Sequence, residues 1–113
     1  MVPQDFGLNC PEYTMQRIDD YGDLPETLSR GVVFIIGNRG NEWLAALSCP
    51  CGCDSKLLLN IMDDVHPYWR WTVDKDQLIT LSPSVNRLTG CKSHFFLVKG
   101  RVDWCGRPLS FQQ

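Results

Sequence analysis

The stretch Val32-Val33-Phe34-Ile35-Ile36-Gly37-Asn38-Arg39-Gly40-Asn41-Glu42-Trp43-Leu44-Ala45-Ala46-Leu47-Ser48-Cys49-Pro50-Cys51-Gly52-Cys53 decides the fold. Its first five residues are an unbroken β-branched and aromatic run, short enough for a buried strand. Gly37 to Asn41 is a loop whose Gly and Asn residues tolerate positive φ. Residues 43–47 return as a second strand and deliver the chain to three cysteines in five residues. These thiols are too close in sequence to pair with one another, because a disulfide needs a particular Cβ–Cβ approach and torsion. A second box, Cys91-Lys92-Ser93-His94, offers a thiol and an imidazole. Two short turns from distant parts of a chain, each with soft or borderline donors, are how a tetrahedral zinc site is built.

Outward from this stretch the pattern stays β. Strands are expected at 32–36, 43–47, 56–61, 68–73, 77–81, 94–98 and 102–105, with turns at Asp63 to Pro67, at Asp74-Lys75-Asp76 and at Lys99-Gly100-Arg101. Ser82 to Arg87 reads as a loop. About seven short strands with turn signals roughly every 8 to 12 residues predict a mainly β, small antiparallel domain. Two of its loops are expected to be joined by a metal, in a Rieske-like or zinc-ribbon-like arrangement. Residues 1–113 are expected to form a single domain. Residues 1–30 read as irregular, with at most a short helix over 13–18 and a helical turn at 24–28. Residues 106–113 read as a mobile tail.

Composition narrows the function classes. A chain of 113 residues supports one modest core. The net charge of −2 gives no electrostatic footprint for nucleic acid. Arg70, Arg87, Lys92, Lys99, Arg101 and Arg107 interleave with Trp69, Trp71, Phe95 and Trp104, but aromatics at strand spacing belong to a core before they belong to a stacking platform. No run approaches the roughly 20 apolar residues of a membrane span. Met1 to Cys10 has neither a basic start nor an apolar segment, so no signal peptide is expected and the cytoplasm is the expected compartment. Thiols stay reduced there, which favours metal ligation over a disulfide framework for the six cysteines.

The two boxes supply five candidate ligands, Cys49, Cys51, Cys53, Cys91 and His94, for a metal that needs four. The knuckle-like Cys49-Pro50-Cys51-Gly52 turn favours Cys49 and Cys51 with Cys91 and His94; Cys51 and Cys53 are the rival pair. Zinc is the expected cofactor. Cys91-x-x-His94 also looks like half of a Rieske site, so an iron–sulfur cluster and a redox function form the alternative. Cys10 and Cys105 have no box around them. Ser82, Ser84 and Ser93 lie near the boxes, but a nucleophilic serine needs a base and an oxyanion hole. With His94 assigned to the metal, these hydroxyls read as turn caps, and a binding module is expected ahead of an enzyme, with the enzyme question left open. Ser82, Ser84, Arg87, Lys92 and Ser93 instead form the rim where a partner protein is expected to dock, in preference to the Asp74–Asp76 hairpin tip.

Four runs together carry a resemblance: Cys49 to Cys53, Leu81-Ser82-Pro83-Ser84-Val85, Cys91-Lys92-Ser93-His94-Phe95-Phe96 and Gly100-Arg101-Val102-Asp103-Trp104. Over residues 24–105 the chain resembles a small family of uncharacterised bacterial domains. Members of that family are often encoded beside ubiquitin-like proteins, ubiquitin-activating-like and ubiquitin-conjugating-like enzymes, and JAB-type metallopeptidases. The resemblance implies an accessory role in a bacterial ubiquitin-like conjugation pathway. It carries over the cysteine and histidine positions and the Ser82-Pro83-Ser84 segment. The expected function is therefore a zinc-stabilised protein-interaction module whose partners are enzymes of such a pathway.

Overall fold

The computed structural model describes residues 12–51, 55–86 and 94–104. Among them are eight strands in two four-stranded sheets. The first sheet has the order β1-β2-β3-β4, with β1 Thr14–Ile18, β2 Val32–Ile36, β3 Leu44–Ser48 and β4 Lys56–Asn60. The second has the order β5-β6-β7-β8, with β5 Arg70–Val73, β6 Ile79–Asn86, β7 His94–Val98 and β8 Arg101–Trp104.

The mainly β expectation holds, with eight strands among the described residues where about seven are expected, and three further details change. The 13–18 segment is a strand and not a helix, and it pairs parallel with β2. Parallel neighbours need a crossover connection, and 19–31 provides it, with a 3-10 turn at Tyr21–Asp23 where Asp20 caps the backbone N–H of Gly22. The expected helical turn at 24–28 is absent; Leu28 and Leu24 instead pack on the outer face of β2 and β3 with Phe34 and Ile36. This explains the unbroken apolar run of β2: Val33 and Ile35 face the other sheet, Phe34 and Ile36 face the crossover, and all four are buried. Finally, Ser82 to Asn86 is not a loop. It is the second half of β6.

The main core lies between the sheets. Val33, Ile35, Leu47 and Leu59 from the first meet Ile79, Leu81, Phe95 and Leu97 from the second. Strand alternation selects these side chains: β4 buries Leu57 and Leu59 while exposing Lys56 and Leu58, and β7 buries Phe95 and Leu97 while exposing Phe96 and Val98. Burying each such side chain is worth about 1.5–3 kcal/mol.

Backbone hydrogen bonds stitch the sheets together at two places. Tyr13 donates to the carbonyl of Gly100 at 2.7 Å and accepts from Ile79 at 3.3 Å, while Gly100 donates to Ile79 at 2.8 Å. Gly100 has a φ of 80°, and an added Cβ there would come within 2.8 Å of the Tyr13 carbonyl oxygen. At the other place Trp69 donates its backbone N–H to the carbonyl of Asn60 at 2.9 Å. Asn60 also holds the connection that follows it, its amide nitrogen donating to the carbonyls of Met62, Val65 and Pro67.

Candidate functional site

The site begins with an irregularity in β6. Leu81 pairs with Leu97 and Val85 with Phe95, so Ser82, Pro83 and Ser84 oppose the single residue Phe96. A bulge of this kind bends the strand and re-aims the side chains within it. Beyond it the ladder resumes, with Asn86 opposite His94.

Buried residues fix the orientation on both strands. Val85 is buried in the core beside Phe95, which packs edge-on against Trp104 of β8 with ring centroids 5.6 Å apart. Because side chains alternate, Ser84 and His94 are turned to the opposite face, and both are half-buried. There the Ser84 hydroxyl oxygen lies 2.9 Å from Nε2 of His94. The Ser84 backbone is also held: the indole N–H of Trp69 donates to its carbonyl oxygen at 3.3 Å.

A serine hydroxyl against an imidazole nitrogen is the contact through which a general base activates a nucleophile. Sequence reasoning sets a nucleophilic Ser84 aside in favour of a turn cap on the docking rim, because it assigns His94 to a metal and 82–87 to a loop. The signal was present. Reading Leu81 to Asn86 as a strand puts Ser84 and Asn86 on one face and Val85 on the other, and the Phe95 and Leu97 alternation does the same for His94.

The cysteine box lies at the end of β3. Cys49 is fully buried in the main core and Cys51 is exposed, with their sulfurs 3.4 Å apart. This separation is far beyond the roughly 2.05 Å of a disulfide. The loop is closed by Cys49 donating its backbone N–H to Ser55 at 2.9 Å, and Arg30 donates to the Pro50 carbonyl at 3.3 Å. Upstream, the Tyr13 hydroxyl donates to the Ser48 carbonyl at 3.1 Å. Among the described residues no three His, Cys, Asp or Glu side chains cluster as metal ligands would. Cys53 and Cys91, the other two candidate ligands, lie outside the described residues, as do Cys10 and Cys105. Of the expected docking rim, Ser82 is exposed on β6, Ser84 contacts His94, and Arg87, Lys92 and Ser93 lie outside the described residues. His66 rests against the Tyr68 ring, with centroids 5.3 Å apart.

No helix among the described residues is long and apolar enough to cross a membrane. No curated protein and no solved structure matches the chain. A family model does match. It is BubE, described as a bacterial ubiquitination-like system serine protease, and it covers residues 21–105, which include every described strand but β1. The chain belongs to the BubE family, and so to a family tied to bacterial ubiquitination-like systems.

Proposed function

We propose that this protein is a serine hydrolase that cleaves an acyl bond of a protein substrate in a bacterial ubiquitination-like system, with Ser84 as nucleophile and His94 as general base. The observation that carries this reading is the 2.9 Å contact between the Ser84 hydroxyl and His94 Nε2. The family description supports it.

In this reaction Nε2 of neutral His94 takes the hydroxyl proton as the Ser84 oxygen bonds to the substrate carbonyl carbon. Collapse of the tetrahedral adduct breaks the scissile C–N bond, and the imidazolium returns the proton to the departing amine. Water then attacks the acyl-Ser84 ester with His94 again as base, releasing the carboxylic acid and restoring the hydroxyl. The rim residues Ser82, Arg87, Lys92 and Ser93 are assigned to substrate contact. Arg87, Lys92 and Ser93 belong to the connection that joins the strand of Ser84 to the strand of His94.

The test is cleavage of a ubiquitin-like fusion protein together with labelling by a fluorophosphonate. Wild-type protein is expected to cleave and to be labelled at Ser84. Ser84→Ala and His94→Ala are each expected to lower turnover at least about a thousandfold. Cleavage that survives Ser84→Ala with an unchanged rate sinks the assignment.

A structural zinc site is a second part of the reading, favoured by the convergence of Cys49 and Cys51. Two thiolates on one tetrahedral zinc, each at about 2.3 Å, have sulfurs about 3.8 Å apart. The observed 3.4 Å needs only a small adjustment to reach that spacing. With His94 engaged as base, the four remaining candidates, Cys49, Cys51, Cys53 and Cys91, make a four-thiolate set, which is a closed structural type.

A further inference from the structure

Against β5 the structure contains a cleft of about 590 Å³. One wall is Gly40 to Trp43, from the β2–β3 connection. A second is Ile61 to Asp64, and the third is Tyr68 to Trp71, which leads into β5. Trp69 joins this cleft to the site, since the residue that lines it also donates to the Ser84 carbonyl. Arg70 makes a second link, being the cross-strand partner of Ser82. The cleft therefore borders β5, the strand next to the one that carries Ser84.

The chemistry of the walls is specific. Trp43, Tyr68, Trp69 and Trp71 supply aromatic surface, and Trp43 is 38% exposed. Asp63 and Asp64 are exposed carboxylates, and neither is in an ion pair among the described residues; Arg70 supplies one opposing charge. The cleft wall already holds one cation in this way. The Arg17 guanidinium lies 5.8 Å from the centre of the Trp71 ring and pairs with Glu42, and both Trp71 and Glu42 line the cleft. A cation over an indole face with a carboxylate at hand is favourable both as a cation–π contact and as an ion pair.

We propose that this cleft is a substrate subsite that takes a lysine or arginine side chain from the extended segment lying across Ser84, so that cleavage selects a basic residue near the scissile bond. The inference rests on the Ser84–His94 reading for the direction of the chain but on the cleft alone for its chemistry.

The experiment separates the two. Binding is measured by tryptophan fluorescence on the Ser84→Ala variant, which keeps the cleft and cannot turn over. The probes are acetylated, amidated tetrapeptides of Ala and Gly carrying Arg at each position in turn, with norleucine counterparts. Hydrolysis by the wild type is followed with the matching aminocoumarin amides. At one or more positions the Arg peptide is expected to bind about tenfold more tightly than the norleucine peptide. The preference is expected to fall to within about threefold in Asp63→Asn/Asp64→Asn, with melting temperature unchanged. Equal affinity of the Arg and norleucine peptides at every position overturns the subsite, as does a preference that survives the double substitution. Ser84-dependent hydrolysis without an Arg preference overturns the subsite and leaves the hydrolase reading standing. Arg-selective binding without hydrolysis supports the cleft and removes the hydrolase reading.

Discussion

The indole N–H of Trp69 donates to the carbonyl oxygen of Ser84 at 3.3 Å. The bond ties the residue before β5 to the middle of β6, at the point where the bulge would otherwise leave the backbone without its regular ladder. It joins the cleft and the Ser84–His94 pair in one mechanical unit. It also means that Ser84 is placed by a residue that does not touch its hydroxyl.

Trp69→Phe tests that placement. The substitution keeps an aromatic ring in the cleft and removes the donor. A hydrogen bond of this type is worth about 0.5–1.5 kcal/mol net, so the melting temperature is expected to fall only slightly. Small misplacements of a nucleophile are amplified in the rate. Turnover is expected to drop about tenfold with KM nearly unchanged. A fall in affinity with turnover intact would make Trp69 a cleft residue and nothing more.

Much of the fold was legible in the sequence, and the reasons are local. The apolar run of Val32 to Ile36, the alternation of Lys56 to Asn60 and the Lys99-Gly100 turn each carry their own signal. Lys99 and Gly100 have φ of 49° and 80°, as a tight hairpin turn requires. What was not legible depends on contacts between distant residues. Thr14 to Ile18 is a strand because the edge of β2 is there to receive it. Ser82 to Asn86 looked like a loop because Ser-Pro-Ser is turn chemistry, yet Leu81 and Val85 are both buried and hold it in the sheet. The Ser84–His94 pair followed from that correction. A single histidine in a cysteine-rich box draws the metal reading first, and its contact with Ser84 becomes visible only once the face on which it lies is known.

The Arg17–Glu42 pair makes a pH-dependent contribution to stability. Burial pushes the Glu42 carboxyl up, but the hydrogen bond from Arg17, the backbone N–H groups of Glu42 and Gly40, and the charge of Arg17 outweigh it and hold the pKa below its ordinary value of 4.5. A carboxyl depressed in the folded state stabilises above its unfolded pKa and loses that contribution as pH falls through the folded value. The stability difference between wild type and Glu42→Gln is therefore expected to be constant above about pH 4.5 and to shrink below it. Denaturant titrations at a series of pH values read this directly. A difference that grows on acidification contradicts the assignment.

Gly37 closes the turn that carries the Glu42–Trp43 wall. Its φ is 131°, and an added Cβ would lie 2.6 Å from the Asn41 carbonyl oxygen and 2.7 Å from the Glu42 Cα. Both are backbone atoms and cannot swing away as a side chain end would. Gly37→Ala is expected to cost about 2 kcal/mol or more and to weaken Arg-peptide binding by displacing Trp43. Thermal melts and the fluorescence titration check the two effects. A variant as stable as wild type would mean that the turn has another low-energy form.

Zinc content discriminates between the two roles available to His94. If the imidazole serves as base and the four thiolates of Cys49, Cys51, Cys53 and Cys91 hold the ion, Ser84→Ala and His94→Ala are both expected to purify with about one zinc per chain. Cys51→Ser and Cys91→Ser are expected to lose it and to melt well below wild type, since the binding free energy of a structural zinc is folding free energy. Chelator is expected to lower the wild-type melting temperature, whereas Cys10→Ser and Cys105→Ser should change neither metal content nor activity. The decisive comparison is His94→Ala against Cys53→Ser. Loss of zinc in the first with retention in the second places the imidazole among the ligands. The proton acceptor for Ser84 would then have to be another group, even though the hydroxyl lies 2.9 Å from Nε2.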